Sequence, residues 1–142
     1  MATSYKFNSF VEAVHEGVHN FASHTLKVLL TNTSPSLSNT VKADITGELS
    51  TANGYTSGGA SITITSSAQS SGLYTLMAND VPWTASGGSI GPFRFAVVYN
   101  DSPTSPADPL IFYIDYGYSI TVDSGQTFTI DFDQVSGMYY ST

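Results

Sequence analysis

Apolar and polar side chains alternate with a period of two through the last third of the chain. Phe93, Phe95, Val97 and Tyr99 interleave with Arg94, Ala96 and Val98, and the period returns in Phe112, Ile114 and Tyr116 and in Phe128, Ile130 and Phe132. Successive side chains of a strand point to opposite faces, so each run predicts a strand that can bury one face. Pro92 to Phe132 then reads as four strands in close succession. This block holds half of the chain's aromatic residues and no Cys, His, Lys or Glu, which describes a scaffold before it describes a catalyst.

A different period opens the chain. Phe7, Phe10, Val11, Val14, Val18 and Phe21 fall within about 100° of one another on a 3.6-residue wheel, predicting an amphipathic helix from Asn8 to Phe21 with Asn8 or Ser9 as its cap. Gly17 weakens that helix by about 1 kcal/mol relative to Ala, and an irregular strand is the competing reading. Thr25 to Thr31 has the β-branched and apolar content of a buried strand and is closed by the turn signal Asn32-Thr-Ser-Pro35. From 32 to 60 large apolar groups are scarce, and Val41, Ala43, Ile45 and Leu49 support at most one short helical turn or an ordered loop. Asn53-Gly54 and Gly58-Gly59 are turn signals. Ser61 to Ser67, Leu73 to Ala78 and Val81 to Ala85 are further strands, the last two split by the Asn79-Asp80 corner. The prolines between Asn100 and Pro109 make a stiff polar loop, and Asp123-Ser124-Gly125 predicts a tight hairpin turn.

About seven or eight strands and one helix make the chain mainly β, an antiparallel β-sandwich or jelly-roll-like fold with one N-terminal helix. Residues 1–24 form an N-terminal arm or helix, and 25–142 a single β-sandwich domain. At 142 residues, folding buries roughly two thirds of the unfolded surface, enough for one core without staples.

Charge narrows the partners. The net charge of -7 sets 11 acidic residues against only Lys6, Lys27, Lys42 and Arg94. Four scattered cations cannot make the basic footprint that phosphate binding needs, which argues against nucleic acid and against an anionic membrane surface. The chain has no Cys, so neither a disulfide framework nor a thiolate site is expected. No apolar stretch approaches the ~20 residues of a spanning helix, and the first residues lack the basic and apolar regions of a cleaved signal. Charged residues make up 11 % of the chain, well under the ~25 % of an average domain. A surface rich in Ser, Thr, Asn, Gly and Tyr suits interfaces.

One motif carries catalytic chemistry. His15-Glu16-Gly17-Val18-His19 matches the HExxH pattern of zinc peptidases, in which two His one helical turn apart bind the metal and Glu activates its water. On the predicted helix His15 and His19 lie about 90° to 130° from the middle of the apolar stripe, beside Glu12 and Glu16, as on a solvated face. His24 comes one residue too early for the longer HExxHxxGxxH pattern, and Ala22 stands where that pattern has Gly. We therefore read the motif as surface chemistry, with metal binding by His15 and His19 as a minor alternative, and expect no cofactor.

The remaining candidates are binding groups. Asp101 and Asp108, with Asn100, could offer oxygen ligands to Ca²⁺, although Asn-Asp and Asp-Pro are also ordinary turn chemistry. Trp83, Tyr113, Tyr116, Tyr118, Tyr139 and Tyr140 are candidate interaction residues, either sugar-stacking platforms or, preferably, core and subunit-interface packing. Asp115, Asp131 and Asp133 could be imagined as glycosidase carboxylates, but alternation puts Asp131 and Asp133 on the face opposite Ile130 and Phe132. Gly87-Gly88-Ser89-Ile90-Gly91 spells G-x-S-x-G, but it leads into a predicted strand and not a helix, so it makes no nucleophile elbow, and no phosphate-binding glycine loop precedes a helix either.

Five segments carry a resemblance. Phe21 to Pro35, Asn53 to Gly59, Phe93 to Asn100, Asp108 to Gly117 and Thr127 to Phe132, in this order, resemble a group of small virion structural proteins of tailed bacteriophages. The match is looser near Asp115, where the family often has Trp and this chain has Tyr113-Ile114. The resemblance implies a β-rich, non-enzymatic particle protein: a homo-oligomeric head decoration or cement protein that binds the major capsid protein or other virion proteins, or a tail or head appendage. In the first case the His-bearing face of residues 1–24 would be a docking contact. The alternatives are a tail-fibre module that binds receptor carbohydrate through Trp83 or Tyr side chains, and a zinc hydrolase.

Overall fold

The computed structural model describes residues 2–132 and 138–141. Among them the chain is mainly β with one short α-helix and antiparallel sheets, as the alternation predicts. The elements are β1 (Thr3–Lys6), α1 (Asn8–His15), β2 (Leu26–Thr31), β3 (Ala60–Ile62), β4 (Ile64–Ser70), β5 (Leu73–Ala78), β6 (Val81–Thr84), β7 (Ile90–Asn100), β8 (Leu110–Val122), β9 (Thr127–Ile130) and β10 (Tyr139–Ser141). They form a five-stranded sheet of order β1-β8-β7-β2-β3, a three-stranded sheet β10-β5-β4 and a pair β6-β9. The arrangement is sandwich-like, and the grouping into three sheets does not by itself define a jelly roll.

The large sheet is apolar on both faces, which corrects the expectation that each run buries one. Register aligns Val28, Val98 and Phe112 in one row across β2, β7 and β8, and Leu29, Val97 and Tyr113 in the next. The first row faces Leu76, Ala78, Val81, Trp83 and Ile130 of the smaller sheets in the main core. The second row joins Phe7, Phe95, Tyr99 and Leu110 in a separate cluster on the other face. Alternation also fails locally. Between the pairs Phe93↔Ile120 and Phe95↔Asp115 the ladder takes two steps along β7 for five along β8, and Gly117 sits in the excess at φ +85°. This irregularity turns Phe93 into the main core while Phe95 enters the second cluster.

Residues 32–59, poor in apolar groups but tied down by polar ones, serve both faces: Ile45 packs on the second cluster, and Leu49 and Tyr55 on the main core. Ile45 follows a single 3₁₀ turn at Lys42–Asp44, the short turn expected there. The buried Tyr55 hydroxyl accepts from the Leu30 amide at 3.0 Å and donates to Glu48 Oε2 at 2.7 Å, and the same carboxylate oxygen accepts from the Gly58 amide. Gly59 then crosses β2 so closely that a Cβ there would meet the Val28 carbonyl oxygen at 1.9 Å.

The helix stops at His15, six residues short of the predicted end at Phe21. Gly17 takes φ +76°, its amide bonds the Val14 carbonyl at 3.3 Å, and the Val18 amide bonds the Ala13 carbonyl at 2.9 Å. These two bonds are the paired closure of a Schellman C-cap, so Gly17 ends the helix where the sequence reading had it only weaken one. The N-terminal residues are tied to the large sheet: β1 pairs with β8 from Thr3↔Asp115 to Lys6↔Phe112, and Phe7 and Phe10 are buried. At the other end Asp123-Ser124-Gly125 does turn the chain, yet β9 pairs with β6 and not with β8. The Gly125 amide and the Gln126 carbonyl bond the backbone of Ala85, so the turn is a corner between sheets.

Candidate functional site

Beyond Gly17 the chain runs as residues 18–24 past β5 and β10, and a cleft of about 590 Å³ opens there. Its walls are Val14, His19, Phe21, Tyr74 and Tyr139, with Asn20 and Ser67 as polar members. Tyr139 is the hub, its ring centroid 5.4 Å from Phe10, 6.0 Å from Phe21 and 6.2 Å from Tyr74. Phe21 in turn stacks on His19 at 5.4 Å. The Tyr74 hydroxyl lies 2.8 Å from Ser67 Oγ, and burial raises its pKa. On the far side of Tyr139 a second hollow of about 470 Å³ reaches Ser4, Lys6, Phe10 and Met138.

Behind the cleft lies a polar knot. Asn100 is fully buried at the end of β7, and its amide nitrogen stands 3.0 Å from His19 Nδ1 and 2.9 Å from His24 Nδ1. An amide nitrogen only donates, so both imidazoles accept at Nδ1 and carry their proton on Nε2. Burial, and then the neighbouring His24, lower the His19 pKa to about 4. His19 Nε2 is itself buried without a partner. The knot holds both rings in place through the Asn100 amide. Since none of the lining side chains is charged, the cleft suits an uncharged surface with an apolar face and hydroxyls.

This geometry dismantles the HExxH reading. His15 is the last helical residue, exposed, its Nδ1 bonded to the Val11 carbonyl at 2.9 Å. His19 lies beyond the helix with its ring turned inward between Phe10 and Phe21, not on a solvated face. The two therefore do not stand one helical turn apart, and among the described residues no group of three His, Cys, Asp or Glu is placed to hold a metal.

Among the other predicted groups the structure brings Asp101 and Asp108 together. Asp101 is exposed and pairs with Lys27 at 3.5 Å, while burial and Asp101 raise the pKa of Asp108. The Asn100 side chain is engaged elsewhere, its nitrogen toward the histidines and its oxygen accepting from the Ser102 amide. Trp83 is 5 % exposed and packs on Tyr55 and Phe128, so it is core and no platform. Tyr113 belongs to the second cluster and stacks on Tyr5. Tyr116 lies edge-on to Phe128, its pKa pushed up to about 12 by burial. Tyr118 is 63 % exposed. Asp115 takes two bonds from Arg94, at 2.8 and 3.2 Å, which hold its carboxyl below the usual range, and Asp131 is exposed. Asp133 and the Tyr140 side chain lie outside the described residues.

Of the predicted interaction residues whose side chains are described, the cleft contains Tyr139. Phe21, Tyr74 and His19 join it through pairings between distant segments that no local pattern announces. No family model, curated protein or solved structure matches this chain.

Proposed function

We propose that this chain is a non-enzymatic structural protein of a bacteriophage virion, a homo-oligomer that binds the major capsid protein and acts as a decoration or cement subunit of the head. The observation that carries the reading is the distribution of charge. In a chain of net charge -7, Leu49 to Asn79 holds no Asp, Glu, Lys, Arg or His. That span supplies β3, β4 and β5, and β4 is largely exposed. Uncharged surface of this kind lets a subunit contact form without the cost of desolvating charges. Four of the five segments that carry the phage resemblance supply β2, β7, β8 and β9, so the likeness lies in the framework of the fold. The test is to add purified chain to capsid shells that lack it. Saturable binding at a fixed ratio to the capsid subunit is expected; no binding, together with absence from purified particles by mass spectrometry, contradicts the reading.

The uncharged cleft at Tyr139 favours a second reading, an appendage module that binds a neutral saccharide. In that case Tyr139→Ala abolishes glycan binding and host adsorption while particles remain intact.

A further inference from the structure

In the order β10-β5-β4, β4 hydrogen-bonds along one side only among the described residues. It is joined to β5 by Ser71 and Gly72, whose φ values of +52° and +83° are those of a two-residue type I′ turn. In such a hairpin the flanking pair Ser70↔Leu73 exchanges both backbone bonds, and alternation turns the amides of Ala68 and Ser66 toward β5 as well. The N–H and C=O groups of Ser67 and Gln69 therefore point outward, along the open edge. A register shift between Ile64 and Ser66 limits the regular ladder to Ser66–Ser70.

Exposed edges normally carry devices that stop another strand from adding: a lysine, a proline, or mere shortness. The edge strand β1 has Lys6, β6 has Pro82 and β3 has three residues. β4 (Ile-Thr-Ser-Ser-Ala-Gln-Ser) has no charge and no proline over seven residues. It also lies within the neutral span, the part of an acidic chain through which two copies can approach without meeting like charges.

We propose that β4 pairs antiparallel with β4 of a second copy about a two-fold axis at Ala68, which centres the contact on the regular ladder. Ser67 and Gln69 of the partner subunit then exchange two backbone bonds, and Ala68 faces Ala68 of the partner subunit across a non-hydrogen-bonded position. The three-stranded sheet becomes six-stranded. The contact is isologous: Ser67 meets Gln69 of the partner subunit, Gln69 meets Ser67 of the partner subunit, and Ala68 on the axis meets its own counterpart. Five paired residues a side bury well under the ~1,200 Å² of a standard interface, so the dimer is weak in free solution and fills when subunits are concentrated on a surface. This pairing gives the homo-oligomer of the proposed function its contact surface and rests on that reading only for its setting.

Because the chain has no cysteine, one introduced thiol reports the contact. At a non-hydrogen-bonded antiparallel position the Cα atoms stand ~4.5 Å apart, within disulfide reach. Ala68→Cys is expected to cross-link under mild oxidation at least tenfold faster than Thr3→Cys on the exposed β1 edge, and Gln69→Lys in the same chain is expected to suppress the cross-link, with thermal unfolding confirming that each variant is folded. Equal rates for Ala68→Cys and Thr3→Cys, or a cross-link indifferent to Gln69→Lys, overturn the pairing. A chain found in particles that fails this test overturns the edge contact alone, whereas absence from particles bears on the virion reading alone.

Discussion

The side-chain amide of Asn100 donates to His19 Nδ1 at 3.0 Å and thereby fixes which nitrogen of that ring carries the proton, while burial keeps the ring neutral. A protonated His19 would turn a donor toward a donor, inside a cluster where His24 is the nearest titratable group. Asn100 closes β7 and His19 follows α1, so this contact joins the N-terminal residues to the central sheet.

Stability is accordingly predicted to depend on acid. His19 has its pKa lowered to about 4 in the folded chain, against ~6.5 unfolded. Between those values the unfolded state binds a proton that the folded state refuses, so stability falls as pH drops from about 6.5 to 4, and this residue adds no further loss below. The full shift corresponds to roughly 3 kcal/mol; the ring is only partly buried, and screening reduces this to about 1–2 kcal/mol. Denaturant midpoints at pH 7 and pH 4.5 measure the loss, which His19→Gln should flatten. Asp44 and Asp115, both with lowered pKa, lose their contributions only at more acidic pH.

Two glycines of equal φ separate strain from collision. Gly59 and Gly72 both sit at φ +83°, but a Cβ at Gly59 meets the Val28 carbonyl oxygen at 1.9 Å whereas one at Gly72 meets nothing within 4 Å. Gly72→Ala should cost about 1–2 kcal/mol, and Gly59→Ala about 3 kcal/mol or more because backbone has to move. Urea unfolding compares them; equal losses would refute the close crossing of β2.

Aromatic burial makes a similar contrast. Trp83→Ala is expected to destabilise the chain by about 3–5 kcal/mol, and Tyr118→Ala to change stability by no more than about 0.5 kcal/mol. If Trp83→Ala instead left stability intact and removed binding to a saccharide, Trp83 would be a platform after all.

Zinc provides the test of the helix-end motif. With His15 at the last turn and His19 turned into the aromatic cluster, the purified chain should carry far less than one zinc per molecule by elemental analysis, and His15→Ala should not alter that content. One zinc per chain, lost in both His15→Ala and His19→Ala, contradicts the geometry.

How much of this was legible in the residues depends on the range over which each pattern acts. Phe128, Ile130 and Phe132 alternate and do face one core, because period two is a local property of a strand. Phe93 and Phe95 alternate equally well and part company, because the ladder irregularity opposite them arises from β8. Gly17 gave the right local warning with too weak a consequence: a glycine inside an apolar period reads as a small penalty until the Schellman bonds to Ala13 and Val14 are seen. The cleft was the least visible feature. Tyr139 was singled out as an aromatic, but its partners Phe21 and Tyr74 lie far off in sequence, and nothing near Asn100 signals that its amide clamps His19 and His24.

The most direct measurement of the central claim is a cryo-electron microscopy map of the intact particle at a resolution that traces strands. The account predicts density for the five-stranded sheet on the outer surface of the head, in a fixed ratio to the capsid subunit. A map whose head, tail and appendages contain no such density would contradict it.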